Sequence, residues 1–314
     1  MSPARHLPVP DGLVGERVDA ALARALGLAR ARVQAILDAG GVRIGGEPVT
    51  KSRRLQAGDL IDIDLADPAP AAPAGPPPQP VPGFSIVWED PDLVVVDKPP
   101  GVAAHPSPGW TGPTVLGALA AIGRLPAPAG PPERHGIVHR LDAGTSGLMV
   151  VAKSVPAYSG LKRAFKERSV VKTYHALVQG HPDPLVGTID GPIGRHPGGV
   201  YKFAVTARGK PAITHYEVIE AFRGASLVEV HLETGRTHQI RVHFAAIGHP
   251  VAGDPLYGSD PVMAARLGLE RQWLHAARLG FTHPVTGRPV EVSSPYAPDL
   301  ERALEIMREE SEER

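Results

Sequence analysis

His139-Arg140-Leu141-Asp142-Ala143-Gly144-Thr145-Ser146-Gly147-Leu148-Met149-Val150-Val151-Ala152-Lys153 sets one carboxylate, flanked by a guanidinium and an imidazole, on a glycine-bearing turn that feeds an apolar run. The run reads as a buried strand and the turn as the loop before it. An acid at such a junction has two readings: a turn former whose side chain bonds its own backbone, or a catalytic group at a strand end. What tilts the balance is its company downstream. Lys172-Thr173-Tyr174 and Glu233-Thr234-Gly235-Arg236-Thr237-His238-Gln239-Ile240-Arg241-Val242-His243 crowd cations, imidazoles and a phenol into short segments.

Outward from this stretch the pattern is that of strands with few, short helices. Ser85–Trp88, Leu93–Val96, Val170–Val178, Ala212–Ala221 and Ser226–Leu232 read as strands, and Glu89-Asp90-Pro91-Asp92 as the turn between the first two. Val155–Glu167 predicts a helix capped by Ser154, and a second helix opens on Arg236-Thr237 and runs to Ala246. Long connections between such strands point to a mixed sheet with peripheral helices, an α+β class, rather than a doubly wound nucleotide-binding fold. Neither a Gly-x-Gly-x-x-Gly nor a phosphate-binding Gly-x-x-x-x-Gly-Lys motif is present, so no nucleotide cofactor is indicated.

The first 83 residues are organised differently. Val18, Leu22, Leu26, Val33, Ile36 and Leu37 fall at helical spacing, with Gly27 ending the first helix. Val42–Ile44 and Leu60–Leu65 then alternate as strands, the first turning at Gly45-Gly46. We assign residues 13–65 to this small domain. Residues 66–83 hold eight prolines in 18 positions and predict an extended spacer, reaching at most about 55 Å at ~3.1 Å per residue. Residues 84–298 form the larger domain, and 299–314, with seven acids against three arginines after Pro298, read as an acidic tail.

Lysine plus arginine equal aspartate plus glutamate, 33 each, so bulk charge announces no partner. Local charge does. Six basic residues between Arg30 and Arg54 meet Asp38 and Glu47, six between Lys153 and His175 meet only Glu167, and four between Gly191 and Tyr216 meet no acid. Three basic clusters around one candidate site fit a polyanion of RNA size. With no cysteine, disulfides, thiolate metal sites and a cysteine nucleophile are excluded. No apolar run approaches the roughly 18 residues of a membrane span, and Met1–Gly12 lacks a signal-peptide core, so a cytoplasmic protein with no membrane association is expected.

Two other chemistries compete for the same residues. His135, His139 and Asp142 are spaced for a zinc hydrolase, but the glutamate of a His-Glu-x-x-His helix is missing and Gly136 disfavours a helix. No metal is therefore expected. Ser146 imitates a nucleophile elbow, yet Leu148 stands where that motif needs glycine. A nucleophilic aspartate instead needs a nearby cation and little bulk water, and Arg140 or Arg241 could supply the charge. Tyr174 offers a face for stacking a base and a phenol for proton transfer.

The chain resembles the RluA-type pseudouridine synthases, and within them the D type named for the large ribosomal subunit. The motifs that carry the likeness are Lys98-Pro99-Pro100-Gly101 with His105-Pro106, His139–Asp142 with Thr145–Leu148, Lys172–Tyr174, Glu233–His243, and Gly253-Asp254-Pro255-Leu256-Tyr257-Gly258. Residues 15–65 likewise resemble the alpha-L, S4-like RNA-binding fold, with Arg30, Arg32, Arg43, Lys51, Arg53 and Arg54 as candidate RNA contacts. The resemblance implies a mainly antiparallel pseudouridine synthase domain. It also implies isomerisation of uridine to pseudouridine without a cofactor, in a stem-loop of large-subunit rRNA. Asp142 is then the nucleophile, Tyr174 lies against the base, and Arg241 pairs with the aspartate. Arg140 holds the flipped nucleotide, and His139, Lys98, Thr145, Lys172, Arg236 and His238 are further substrate-binding candidates. Transfer RNA is the alternative substrate, a non-catalytic RNA-binding or ribosome-assembly factor the alternative function, and a monomer the expected state. Ala143-Gly144 and Ala103-Ala104 depart from the family pattern and bear on substrate choice more than on chemistry.

Overall fold

In the computed structural model, which describes residues 5–28, 30–64, 77–107, 109–198 and 202–312, the chain divides into two compact units, Met1–Ala74 and Gly75–Arg314. The first unit contains β1 (Arg5–Pro8), α1 (Val18–Leu26), α2 (Arg30–Asp38), β2 (Val42–Ile44), β3 (Glu47–Pro48) and β4 (Leu60–Ile63), with sheet order β1-β4-β2-β3. Helix α1 ends where Gly27 takes a left-handed conformation, and Gly45 and Gly46, both at positive φ, turn the β2–β3 hairpin. Val18, Leu22, Val33, Ile36, Val42, Ile61 and Ile63 form its core. Strand β1 was not expected: four residues with a proline carry no readable alternation, and only pairing with β4 makes them a strand.

The second unit is built on a sheet that has nine strands among the described residues. They are β5 (Ser85–Glu89), β6 (Leu93–Lys98), β7 (Ser146–Ala152), β8 (Val171–Gln179), β9 (Val186–Asp190), β12 (Ile213–Phe222), β13 (Ala225–Leu232), β14 (Leu274–Thr282) and β15 (Pro289–Ser293). A separate hairpin, β10 (Ile193–Arg195) and β11 (Phe203–Val205), and helices α3 (Val115–Ala121), α4 (Val155–Lys166), α5 (Gln239–Ala246), α6 (Pro261–Arg266) and α7 (Pro298–Glu312) complete it. The order β5-β6-β7-β14-β8-β13-β12-β9 is antiparallel except where β14 runs parallel to β7. Helix α4 starts as expected at Ser154, whose side chain accepts from the Ala157 N–H at 3.2 Å.

The central strands are covered on both faces, so their sequence is continuously apolar while the side chains still alternate. Val94, Val96, Met149 and Val151 pack on one side with Ile240 and Phe244 of α5. Leu93, Val95, Leu148 and Val150 pack on the other with Ala157 and Leu161 of α4. Gly147 lies at the parallel junction at φ +107, where an added Cβ would stand 2.4 Å from Ala276 O. Only glycine admits β14 this close, which brings the entry to β14 beneath the turn that starts β7.

Two expectations change. The expected acidic tail, 299–314, is helical over its described residues 299–312: α7 buries Leu300, Ala303, Leu304 and Met307 against Trp273 and Phe222, and the Trp273 indole donates to Leu300 O at 2.9 Å. The seven acids hid an apolar stripe at helical spacing. Of the expected spacer, residues 66–76 lie outside the described residues, and the rest lies on the core of the second unit. There Gln79 N–H donates to Gly117 O at 3.0 Å and Val81 packs inward.

Candidate active site

Thr145 N–H donates to Asp142 O at 3.0 Å and closes the turn before β7, which places the Asp142 side chain on the wall of a cavity of about 500 Å3. Lys172 and Tyr174 of β8 and Arg241 of α5 line the same cavity, with His139, Arg140, Thr145, Arg236 and His238. The start of α5 is fixed by one buried amide. Gln239 Oε1 accepts from Thr234 Oγ1 and Arg236 N–H, and its Nε2 donates to Ile213 O and Thr214 Oγ1. A fully satisfied buried amide of this kind specifies one geometry.

Arg241 is 4% exposed and forks onto Asp254, which is fully buried, with Nε–Oδ2 at 2.6 Å and Nη2–Oδ1 at 2.8 Å. Its remaining Nη1 reaches Asp142 Oδ2 at 3.2 Å, and Asp142 keeps 17% exposure. The bidentate clamp of Arg241 is thus made to Asp254, and Asp142 receives a single donor from a guanidinium that is already immobilised. Burial works against the charge on Arg241, but the Asp254 hydrogen bonds and the two carboxylates hold its pKa above the ordinary value. Asp254 is legible in the Gly253–Gly258 motif, but the motif alone gives it no role. Gly253 sits at φ +73 with an added Cβ only 2.2 Å from Arg271 O, so glycine is required where the chain turns to present Asp254.

His238 adopts a left-handed conformation at φ 56 as the α5 cap; its Nδ1 bonds the Tyr257 hydroxyl at 2.8 Å and its Nε2 lies 3.9 Å from Asp142 Oδ2. Burial lowers its pKa while the Asp142 charge opposes the fall. Tyr174 is buried, and desolvation, with the Asp142 carboxylate adding, pushes its phenol well above the usual range. It stays protonated at neutral pH, so it offers the cavity an aromatic ring and a hydroxyl and not a proton-accepting base.

The other candidates divide. Arg140 is exposed at the rim, and Arg236 Nε donates to Pro211 O at 3.0 Å. Lys172 lies 5.8 Å from the Phe165 ring centre, and burial lowers its pKa. Thr145 is buried, and its Oγ1 accepts from Gln272 Nε2 at 3.2 Å. His139 turns inward: its Nε2 accepts from the Val150 N–H at 3.0 Å, its ring stacks on Phe165, and desolvation, with Lys172 adding, lowers its pKa to about 3. Lys98 does not line the cavity. It is fully buried and donates to Pro99 O and Ala143 O, so it holds the Asp142 turn from behind. Burial first, then the Arg271 charge, lowers its pKa to about 7. Arg134, Lys162 and Arg168 join the cavity wall; Lys162 and Arg168 belong to the basic cluster between Lys153 and His175, whereas no sequence signal marks Arg134, because only folding brings the 130s loop to the rim.

The rival chemistries lose their groups. Ser146 does meet a histidine, His275 Nδ1 at 3.0 Å, but both are buried and neither lines the cavity. The His139 nitrogen that a zinc site would use is occupied by Val150. Among the described residues one other cluster offers metal-ligand atoms, Asp90, Asp92 and His283, away from the cavity. His283 Nδ1 accepts from Val285 and Thr286 N–H, which leaves the proton on Nε2 facing Asp90 Oδ2 at 2.8 Å, with no lone pair there for an ion.

Of the small-domain cations, Arg43 and Lys51 are exposed and Arg32 has partners of its own. Arg53 faces Asp59 at 3.5 Å and Arg54 Nη1 donates to Gly15 O at 2.7 Å, so both hold their own fold. The Arg30 side chain lies outside the described residues.

The family described as RNA pseudouridylate synthase matches residues 92–246, and the S4 domain matches residues 16–61. An uncharacterized RNA pseudouridine synthase of Mycobacterium bovis is 59% identical over 306 residues, 98% of this chain and 99% of that protein. The ribosomal large subunit pseudouridine synthase D of Zymomonas mobilis is 38% identical over 97% of this chain and 98% of its own length. The human RNA pseudouridylate synthase domain containing 1 superposes with a TM-score of 0.58 at 32% identity, over 72% of this chain and 89% of the human one.

Proposed function

The chain belongs to the RluA-type RNA pseudouridine synthases, isomerases that convert uridine to pseudouridine in RNA, and on that premise we propose that it modifies uridines in a stem-loop of large-subunit ribosomal RNA, with Asp142 as nucleophile and no cofactor. The observation that carries the reading is the Asp142 carboxylate on the cavity wall, bonded by one nitrogen of an immobilised guanidinium, with a buried tyrosine ring on the same wall. At about 500 Å3 the cavity has the size of a small-ligand site, suited to one everted nucleotide and not to a duplex. Eversion costs a few kcal/mol and least in a loop, and relatives named for the large ribosomal subunit make its rRNA the substrate to test first.

The reaction is redox-neutral. The N1–C1′ bond breaks, the base turns, C5 bonds C1′, the C5 proton is lost and N1 gains one. Asp142 supplies the nucleophile, the Tyr174 ring packs on the base, Arg241 fixes the carboxylate, and Arg140, Lys172 and Arg236 face the phosphates and sugar of the everted strand. His139 and Lys98 act behind the wall. Exposed Arg43 and Lys51 of the small domain contact RNA elsewhere. Every group used lies in one chain, so a monomer suffices, and among the described residues no helix is long and apolar enough to cross a membrane. We infer that it acts where ribosomes assemble, in the cytoplasm.

The test uses large-subunit rRNA transcript labelled with tritium at C5 of uracil. Wild type should release tritium and Asp142→Asn should not. Release by both would remove Asp142 from the mechanism. Release by wild type from transfer RNA but not from ribosomal RNA would replace the substrate, and release by neither from any RNA would leave a binding factor on the same fold.

A further inference from the structure

Every residue that follows Asp142 in its turn is gripped from behind the cavity. Ala143 O accepts from Gly101 N–H at 2.9 Å and Lys98 Nζ at 3.2 Å. Gly144 O accepts from Arg271 Nη1 at 2.9 Å, Thr145 Oγ1 from Gln272 Nε2 at 3.2 Å, and Ser146 Oγ from Arg271 Nη2 at 3.3 Å. Arg271 is itself held, with Nε and Nη2 forked on Asp299 at 2.7 and 2.9 Å. Asp299 stands in the first turn of α7, whose apolar stripe is locked to Trp273, two positions after Arg271 in sequence. Neither Arg271 nor Asp299 lines the cavity, so whatever they do for the reaction they do through the turn.

The turn needs such a grip. Gly144 has no side chain to anchor it, and an added Cβ would stand 2.7 Å from Gln272 Oε1. A side chain at this position would press on the end of the Gln272 side chain, which holds Thr145. A glycine-containing turn has more backbone freedom than any other, and that freedom must be removed from outside. One planar guanidinium spans both sides, with two nitrogens on the helix carboxylate and shared donors on Gly144 O and Ser146 Oγ. A lysine ammonium keeps the charge but not the fork.

We propose that Arg271, held by Asp299, is a positioning residue for the Asp142 turn, which makes the C-terminal helix a working part of the catalytic apparatus. The inference rests on Asp142 as nucleophile. A carboxylate displaced by about 1 Å loses on the order of 100-fold in rate, while a cavity wall untouched elsewhere binds RNA as before.

The test takes full-length Arg271→Lys and Asp299→Asn beside wild type and Asp142→Asn. Single-turnover tritium release at saturating enzyme should fall about 10- to 100-fold in Arg271→Lys and by a smaller factor in Asp299→Asn. The Kd for the same RNA should stay within about twofold, since no cavity group is changed. Asp299→Glu, which keeps a carboxylate for the fork, should recover part of the rate lost in Asp299→Asn. Independently of activity, amide exchange at Thr145, whose N–H closes the turn, should accelerate at least about tenfold in both primary variants. Faster exchange with an unchanged single-turnover rate would overturn the proposal, as would rate and RNA affinity falling together, or exchange at Thr145 unchanged. An Asp142→Asn enzyme that remains active would sink the nucleophile reading instead, and the exchange result would still report whether the clamp holds the turn. Should Arg271→Lys fail to fold, Asp299→Asn carries the same three readouts.

Discussion

The two units treat positive charge in opposite ways. In the small domain the pairs are local and wet: Arg17 meets Asp19 at 3.0 Å with the arginine 46% exposed, and Arg24 meets Glu16 at 2.9 Å with 59%. In the synthase domain the Arg241–Asp254 pair at the cavity is dry, at 4% and 0% exposure, and the Arg271–Asp299 fork keeps its guanidinium at 11% while Asp299 reaches solvent. Exposed pairs contribute about 0–1 kcal/mol each, whereas removing one partner of a buried pair costs about 3–5. Dry charges fix a geometry. Wet ones remain available to a polyanion.

The largest test of this contrast lies inside the site. Asp254→Ala leaves Arg241 buried beside only the partly exposed Asp142 and should cost about 3–5 kcal/mol in urea unfolding. Asp142→Asn, at the rim of the same guanidinium, should cost less than about 1 kcal/mol while removing activity. Equal losses of stability would mean that Arg241 does not distinguish a structural partner from a catalytic one.

What the sequence made legible follows the same division. Asp142, Tyr174 and Arg241 were readable because short motifs carry them, and folding brings all three to one cavity. Strands β6, β7, β8, β12 and β13 and helix α4 were readable because runs and caps are local signals. The Arg271–Asp299 clamp was not, since Arg271 meets Gly144 across 127 positions of sequence and no local pattern encodes that meeting. Lys98, a substrate-binding candidate by resemblance, lies behind the wall for a related reason: β6 is covered on both faces and its last residue turns inward. Helix α7 was missed because charge outweighed a stripe of Leu300, Leu304 and Met307.

Buried imidazoles give an intermediate effect confined to the synthase domain. His275 accepts from Ser146 at Nδ1 and faces Ser294 O with Nε2, and burial lowers its pKa to about 4. The unfolded chain takes up that proton from about pH 6.5 downward while the folded protein does not, so stability is full above about 6.5 and falls as pH drops toward 4. At pH 5 the loss from His275 should be on the order of 1–2 kcal/mol, with His139 adding to it in the same direction. Urea midpoints of wild type at about pH 7.5 and about pH 5, set beside His275→Gln, measure it. A slope equally steep in the variant would place the acid sensitivity elsewhere.

The smallest effect should appear in the small domain, and its sign separates wet charges that serve the fold from wet charges that serve RNA. Arg43 and Lys51 are exposed, whereas Arg54 spends its guanidinium on Gly15 O across an isolated bridge between Arg17 and Arg54. Changing Arg43 and Lys51 together to glutamine should weaken RNA binding roughly threefold to tenfold and reduce the salt slope of log Kd by about one for each phosphate no longer neutralised. The urea midpoint and the single-turnover rate at saturating enzyme should stay put, because both side chains are exposed and the chemical step uses groups of the second unit. Arg54→Gln should do the reverse, costing up to about 1 kcal/mol of stability for the missing hydrogen bond to a backbone carbonyl while leaving the salt slope nearly unchanged. If Arg54→Gln flattens the salt slope as much as the double variant does, its hydrogen bond to Gly15 yields to phosphate in the complex. The division between the two kinds of wet charge would then fail for the residue on which it depends most.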